Sequence, residues 1–197
     1  MIAIIDYGAG NLRSVQNTLN EIGATYQVLE GPERLAEATK ILLPGVGHFG
    51  QMMRALDERG LRQPIRERIA AGVPFLGICL GLQGLFTDSE EAPEASGLGV
   101  FPGTVRRFPM DARVPHMGWN ELERRRESRL LAGLPERPYV YFAHSYYVPE
   151  NEGTAAACTY TTPYTAILEQ GNVHGVQFHP EKSGPIGLKI VNNFLEL

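Results

Sequence analysis

The chain has 197 residues, 43% of them hydrophobic, and a formal net charge of −4. This length supports one domain with a sizeable core, and the charge excludes a global basic field of the kind that binds nucleic acid. Its two cysteines, Cys79 and Cys158, exclude a disulfide framework and fit a reducing cytoplasm. Met1 to Asp6 carries no basic stretch ahead of a long apolar run, so no signal peptide is expected. No apolar run approaches the roughly 18 residues of a membrane helix.

Ile2 to Tyr7 reads as a short buried strand. Leu12, Val15, Leu19 and Ile22 then recur at helical spacing, and Gly23 is placed to cap that helix. Thr25–Leu29 and Lys40–Leu43 read as strands, Arg54–Glu58 and Ile65–Ala71 as helices, and Pro74–Ile78 as the fourth strand. The alternation predicts a doubly wound α/β domain with a mostly parallel sheet between helical layers. In such sheets the functional site lies outside the carboxyl ends of the strands, where Asp6, Pro44 and Cys79 fall.

After about Glu90 the pattern changes. Gly97–Val105 is rich in Gly and Pro, and Val114–Glu121 reads as extended. Tyr139–Val148, Thr154–Thr159, Thr165–Glu169 and Val173–Phe178 read as strands, with a hairpin turn at Gly171-Asn172. Additional antiparallel strands are therefore expected in the C-terminal half, followed by a closing helix, Ile186–Leu195. No repeat or linker divides the chain, so residues 1–197 are read as a single domain. Arg106-Arg107 and Arg124-Arg125-Arg126 read as solvated surface.

Three stretches carry candidate chemistry. Gly77-Ile78-Cys79-Leu80-Gly81 ends an apolar run and opens a helical pattern, the arrangement of a nucleophile elbow with cysteine at its apex. A helix from Leu80 points free N–H groups and its positive end at Cys79, which favours the reactive thiolate. The glycines of Pro44-Gly45-Val46-Gly47 let the backbone turn N–H groups toward an anion. With the N–H of Leu80, the Val46–Gly47 turn is placed to form an oxyanion hole. In Gln177-Phe178-His179-Pro180-Glu181, an extended backbone held by Pro180 sets His179 and Glu181 on one side, as base and orienter for Cys79. By residues alone, a buried structural Cys79 and a surface His–Glu pair stay open.

Gly8-Ala9-Gly10 follows the first strand but has Arg13 where a dinucleotide fingerprint needs glycine, so a tight turn is the better reading even with Glu30 available for a ribose. His48, His116, His144 and His174 show no metal-ligand spacing, and neither a metal nor a cofactor is expected.

The elbow together with His179-Pro180-Glu181 resembles the class I (triad) glutamine amidotransferases, which implies a flavodoxin-like three-layer fold. More narrowly, several blocks resemble the glutaminase-subunit family of imidazole glycerol phosphate synthases. They are Asp6 to Leu12, Pro44 to Gly50, Pro115 to Asn120, Tyr141 to Tyr146 and Gln177 to Ser183. Leu82 stands where the resemblance leads one to expect methionine, a size-conserving change.

The resemblance implies hydrolysis of glutamine to glutamate and ammonia by Cys79, His179 and Glu181, in the cytoplasm. Gln83 and Glu91 would hold the substrate's polar end, and the backbone of Gly47, Ser145 and Tyr146 would touch the rest. It also implies a (β/α)8-barrel cyclase subunit as heterodimer partner. That partner would use the ammonia to make imidazole glycerol phosphate and aminoimidazole carboxamide ribotide in histidine biosynthesis. Asn11, Trp119, Tyr141 and Lys182 are the docking residues expected on this resemblance. A cysteine hydrolase of γ-glutamyl or peptidase type would share the elbow, distinguished by partner-independent turnover. A catalytically silent binding module would leave Cys79 unlabelled by a glutamine-like electrophile.

Overall fold

The computed structural model describes residues 1–9 and 11–197; Gly10 of the first glycine-rich turn lies outside the described residues. The chain alternates strand and helix through β1 (Ile2–Ile5), α1 (Leu12–Ile22), β2 (Tyr26–Leu29), β3 (Lys40–Gly45), α2 (Phe49–Glu58), α3 (Arg62–Ala70), β4 (Phe75–Cys79) and α4 (Leu80–Gln83). Strands then predominate: β5 (Phe86–Ser89), β6 (Phe101–Arg107), β7 (His116–Glu121), β8 (Glu123–Arg124), β9 (Tyr139–His144), β10 (Tyr146–Tyr147), β11 (Thr154–Thr159), β12 (Pro163–Gln170) and β13 (Val173–Val176). Helix α5 (Gly184–Leu195) closes the chain.

The main sheet runs β2-β1-β3-β4-β13-β12-β11-β8. Pairings from β2 across to β13 are parallel, and those from β13 out to β8 are antiparallel. The expected mostly parallel sheet with an antiparallel C-terminal extension is therefore the observed one. Its central strands are apolar on both faces because helices cover both. Ile41 and Leu43 of β3 enter one core with Met52, Leu56 and Ile65. Leu42, between them, enters the opposite core with Val15, Leu19, Ile190 and Phe194. Successive strand residues point to opposite faces, so the three layers follow from that alternation.

Helix α1 buries Val15 and Leu19, and Gly23 caps it in the left-handed conformation at φ 81°. Three local expectations differ from the structure. Tyr139–Val148 is broken at Ser145 into β9 and β10, which join different sheets. The helix after Cys79 is a single turn, so the aligned dipole there is small. Pro180–Lys182 forms a 3₁₀ turn, whereas an extended backbone was expected. Proline's fixed φ suits the first position of a helical turn as well as a strand, which accounts for the difference.

Candidate active site

Strands β3, β4 and β13 are adjacent and parallel, and their carboxyl ends carry the three candidate stretches. Gly45 lies level with Cys79, and Val176 with Ile78. Cys79 has φ 53° and ψ −107°, and among the described residues it is the one non-glycine with positive φ. Strain at such a residue is tolerated when its surroundings over-determine it. The surroundings here are tight. A Cβ on Gly77 would fall on the Gly81 carbonyl, and one on Gly81 would fall on the carbonyl of Leu43. A Cβ on Gly45 would sit 2.6 Å from the Gly81 nitrogen and 2.7 Å from the Leu80 Cβ. The glycines thus let the elbow seat against β3. Leu82 packs on Gly175 with no exposed surface, so the leucine fills its site.

His179 follows β13, and its main chain is held on both sides. Its N–H donates to the Tyr141 carbonyl at 2.9 Å. Its carbonyl accepts from Ser183 Oγ at 2.7 Å, and the same Oγ accepts from the Tyr141 N–H at 3.0 Å. In the ring, Nδ1 is 2.8 Å from Glu181 Oε1, with both side chains at most 5% exposed. The 3₁₀ turn therefore brings His179 and Glu181 together without the extended backbone. Nε2 is the nitrogen left for Cys79. Burial lowers the His179 pKa, but attraction and a hydrogen bond to Cys79, then Glu181, outweigh it and raise the ring to about 10. The arrangement favours the imidazolium form of His179. Gln177, fully buried, directs Nε2 at the Cys79 sulfur at 3.6 Å.

Cys79 and His179 open onto a cavity of about 200 Å³. The structure also brings Val46, Gly47, Leu80, Gln83, Glu91, Ser145 and Tyr146 to its lining. Sequence reasoning missed Pro115, Ala143 and His144 there; all three sit in the motif blocks, which was the available signal. Gln83 Nε2 donates to the Tyr146 carbonyl at 2.9 Å and to Gln177 Oε1 at 3.1 Å. Both amide hydrogens are thereby directed inward, leaving its carbonyl oxygen for a ligand. Glu91 Oε2 accepts from the Phe49 N–H at 2.8 Å, at the start of α2, and its other oxygen stays available.

Hydrogen-bond logic fixes the tautomers behind the cavity. His144 Nδ1 lies 2.8 Å from the Tyr146 carbonyl, which only accepts, so Nδ1 carries the proton. Burial pushes the His144 pKa down to about 3, so the ring is neutral and Nε2 accepts. Tyr164 Oη, 3.3 Å away, is then the donor to Nε2, and His116 Nδ1 at 3.1 Å must donate to Tyr164. The proton chain runs His116 to Tyr164 to His144 to the Tyr146 carbonyl, the same carbonyl that fixes Gln83.

The proposed docking residues cluster in part. Trp119 pairs with Tyr141 across β7 and β9, their rings 6.1 Å apart and edge-on. Lys182 Nζ lies 5.8 Å above the Tyr141 ring. Trp119 remains 57% exposed. Asn11 is the residue before α1, where its Oδ1 accepts from Ser14 Oγ.

A doubly wound sheet carries a cysteine elbow beside a buried His–Glu pair. Solved structures share the fold. One described as a glutamine amidotransferase superposes with TM-score 0.79 at 22% identity, covering 100% of this chain and 98% of that one. PurLQS from Thermotoga maritima gives 0.78 at 18%, covering 99% and 97%. At such identities the likeness concerns the fold alone.

The sequence model of the family described as glutamine amidotransferase class-I matches residues 3–197, and the chain belongs to that family. Among its relatives is the imidazole glycerol phosphate synthase subunit HisH of Desulfitobacterium hafniense (strain Y51). It is 51% identical over 98% of this chain and 93% of its own length. The subunit of the same name from Methanothermobacter thermautotrophicus is 50% identical over 100% of this chain and 98% of its own.

Proposed function

We propose that residues 1–197 act as one glutaminase domain, the ammonia-producing subunit of an imidazole glycerol phosphate synthase in histidine biosynthesis. The observation that carries the reading is the strained Cys79 facing His179, itself paired with Glu181, in one small polar cavity. Near-full-length identity of about half to curated HisH subunits supports the specific reaction.

In this mechanism the Cys79 sulfur attacks the side-chain amide carbon of glutamine. The carbonyl oxygen becomes an oxyanion, stabilised by backbone N–H groups of Leu80 and the Val46–Gly47 turn. His179, holding the thiol's proton, passes it to the departing nitrogen. The C–N bond breaks, ammonia leaves and a γ-glutamyl thioester remains. Water then attacks the thioester with His179 as base, which releases glutamate and restores the thiol. Glu181 keeps the Nδ1–H tautomer and supports the imidazolium. Substrate ammonium is held by the free oxygens of Glu91 and Gln83, and the backbone at Gly47, Ser145 and Tyr146 contacts the remainder.

The ammonia passes to a (β/α)8-barrel cyclase subunit. That partner docks over exposed Trp119 and Lys182 with half-buried Tyr141 between them, and Asn11 adds a contact. Among the described residues no helix is long and apolar enough to cross a membrane; a cytoplasmic site of action is part of the proposal. The test is glutamate release from glutamine by the free chain and by its complex with the cyclase subunit. The reading predicts release that rises on complex formation. Absence of glutamate in both would overturn it.

A further inference from the structure

We infer that the Tyr7 hydroxyl is a latch that holds the Val46 N–H away from the oxyanion position and thereby limits the rate of the free subunit. This inference rests on the glutaminase reading. Tyr7 follows β1, the strand beside β3, and is 4% exposed. Its ring does not line the cavity, whereas Val46 and Gly47 do. Yet its Oη lies 3.2 Å from the Val46 nitrogen and 3.3 Å from the Val46 carbonyl oxygen. One hydroxyl accepts from the N–H and donates to the carbonyl, so both polar groups of Val46 are engaged by a side chain outside the cavity lining. A hydroxyl has one donor and two acceptor positions, which suits it to this double hold.

The latch sits at the right place. Gly45, immediately before Val46, is level with Cys79 in the sheet. Gly47, immediately after it, has φ +95° and open space around the position of a Cβ. Glycines on both sides give the Val46 peptides low barriers to rotation. The turn that carries Tyr7 is itself fixed, because Asp6 Oδ1 accepts from the Gly8 N–H at 2.7 Å. Burial, partly offset by the Val46 bond, raises the Tyr7 phenol to about 12, so it keeps its proton at neutral pH.

Tyr7 is thus a positioning residue, acting through Val46 and touching no reacting atom. Removing its hydroxyl frees the N–H to turn toward the tetrahedral oxyanion. One neutral hydrogen bond sets the scale, so release of the latch raises the rate roughly two- to tenfold. A purely structural tyrosine predicts no gain.

The experiment compares wild type, Tyr7→Phe and Tyr7→Leu, each free and in complex with the cyclase subunit, for glutamate release at saturating glutamine. The latch predicts a kcat of the free variants about two- to tenfold above wild type. KM should stay unchanged and the complex-to-free ratio should fall by the same factor. An aldehyde analogue of glutamine, which forms a tetrahedral adduct on Cys79, should bind the folded variants more tightly. An active wild-type complex with variants no faster than wild type when free would overturn the latch alone. No glutamate from any protein would overturn the glutaminase reading, and the latch with it.

Discussion

Replacing Glu181 by glutamine isolates the charge of the proposed orienting group. Glu181 Oε1 is 2.8 Å from His179 Nδ1, and both side chains are at most 5% exposed, so solvent screening is slight. A hydrogen bond with a charged partner contributes about 1.5–3 kcal/mol and a neutral one about 0.5–1.5. Glutamine presents a carbonyl oxygen at the same place and keeps the tautomer, so the charge alone is lost. The difference, about 1–2 kcal/mol, corresponds to a roughly 5- to 30-fold fall in kcat. His179→Ala removes the proton carrier itself, for which about 10²–10⁴ is typical.

The pH profile supplies an independent sign. Glu181 is one of the groups that raise His179 to about 10, so its neutral replacement lowers the pair's alkaline limb in kcat/KM. The assay is glutamate release by the complex from about pH 6 to 10.5, beside a refolding control. Equal losses for Glu181→Gln and His179→Ala, or an alkaline limb that does not move, would refute the assignment of Glu181 as orienter.

Gly45→Ala places a Cβ 2.6 Å from the Gly81 nitrogen, and forced overpacking of this kind costs about 1–3 kcal/mol. It should lower glutamine-dependent synthesis at least about tenfold through the displaced elbow, while synthesis fed with ammonium salts continues. Burial lowers the His116 and His144 pKa values to about 4 and 3, below the unfolded value of 6.5. The unfolded chain therefore binds more protons between those limits, and stability falls as pH drops through about 6.5. Each ring forfeits about 2 kcal/mol by pH 5. His179, with its raised pKa, acts in the opposite sense and offsets about 1.4 kcal/mol of the loss. Urea unfolding at pH 7.5 and 5.0 checks this, and a more stable protein at pH 5.0 would contradict it. Trp119→Ala, at a 57% exposed position, should weaken cyclase binding at least about tenfold, as anchor residues do. It should shift the free chain's stability by no more than about 0.5 kcal/mol. Calorimetric titration and thermal unfolding read the two effects separately.

Much of the fold was legible because its signals are local. Apolar runs such as Lys40–Leu43 and Pro74–Ile78 read as strands since both sheet faces are covered, and Gly23 marked the end of α1. The elbow was legible because only small residues fit around Cys79, so its glycine spacing is written into the sequence. What depended on distant partners was not. Strands β5, β6 and β10 pair across long separations, and their residues carry little period-two patterning. The position of Pro180 admits two backbone states, and the contact between His179 and Glu181 forms in the one that was not expected. Tyr7 read as the end of a strand and a member of the Asp6 to Leu12 block, without its link to Val46, which spans 39 positions. The tautomer chain through His116, Tyr164 and His144 needed three elements in place before any proton could be assigned.

Cys79→Ser in the complete synthase tests the central claim most directly. Serine keeps nearly the same shape at the elbow but lacks the thiolate, and the cyclase subunit is untouched. Synthesis of imidazole glycerol phosphate is measured with glutamine and, separately, with ammonium salts. The account predicts that glutamine-dependent synthesis and glutamate release are lost while ammonium-dependent synthesis runs at the wild-type rate. Glutamate release near the wild-type rate from the Cys79→Ser complex would contradict it.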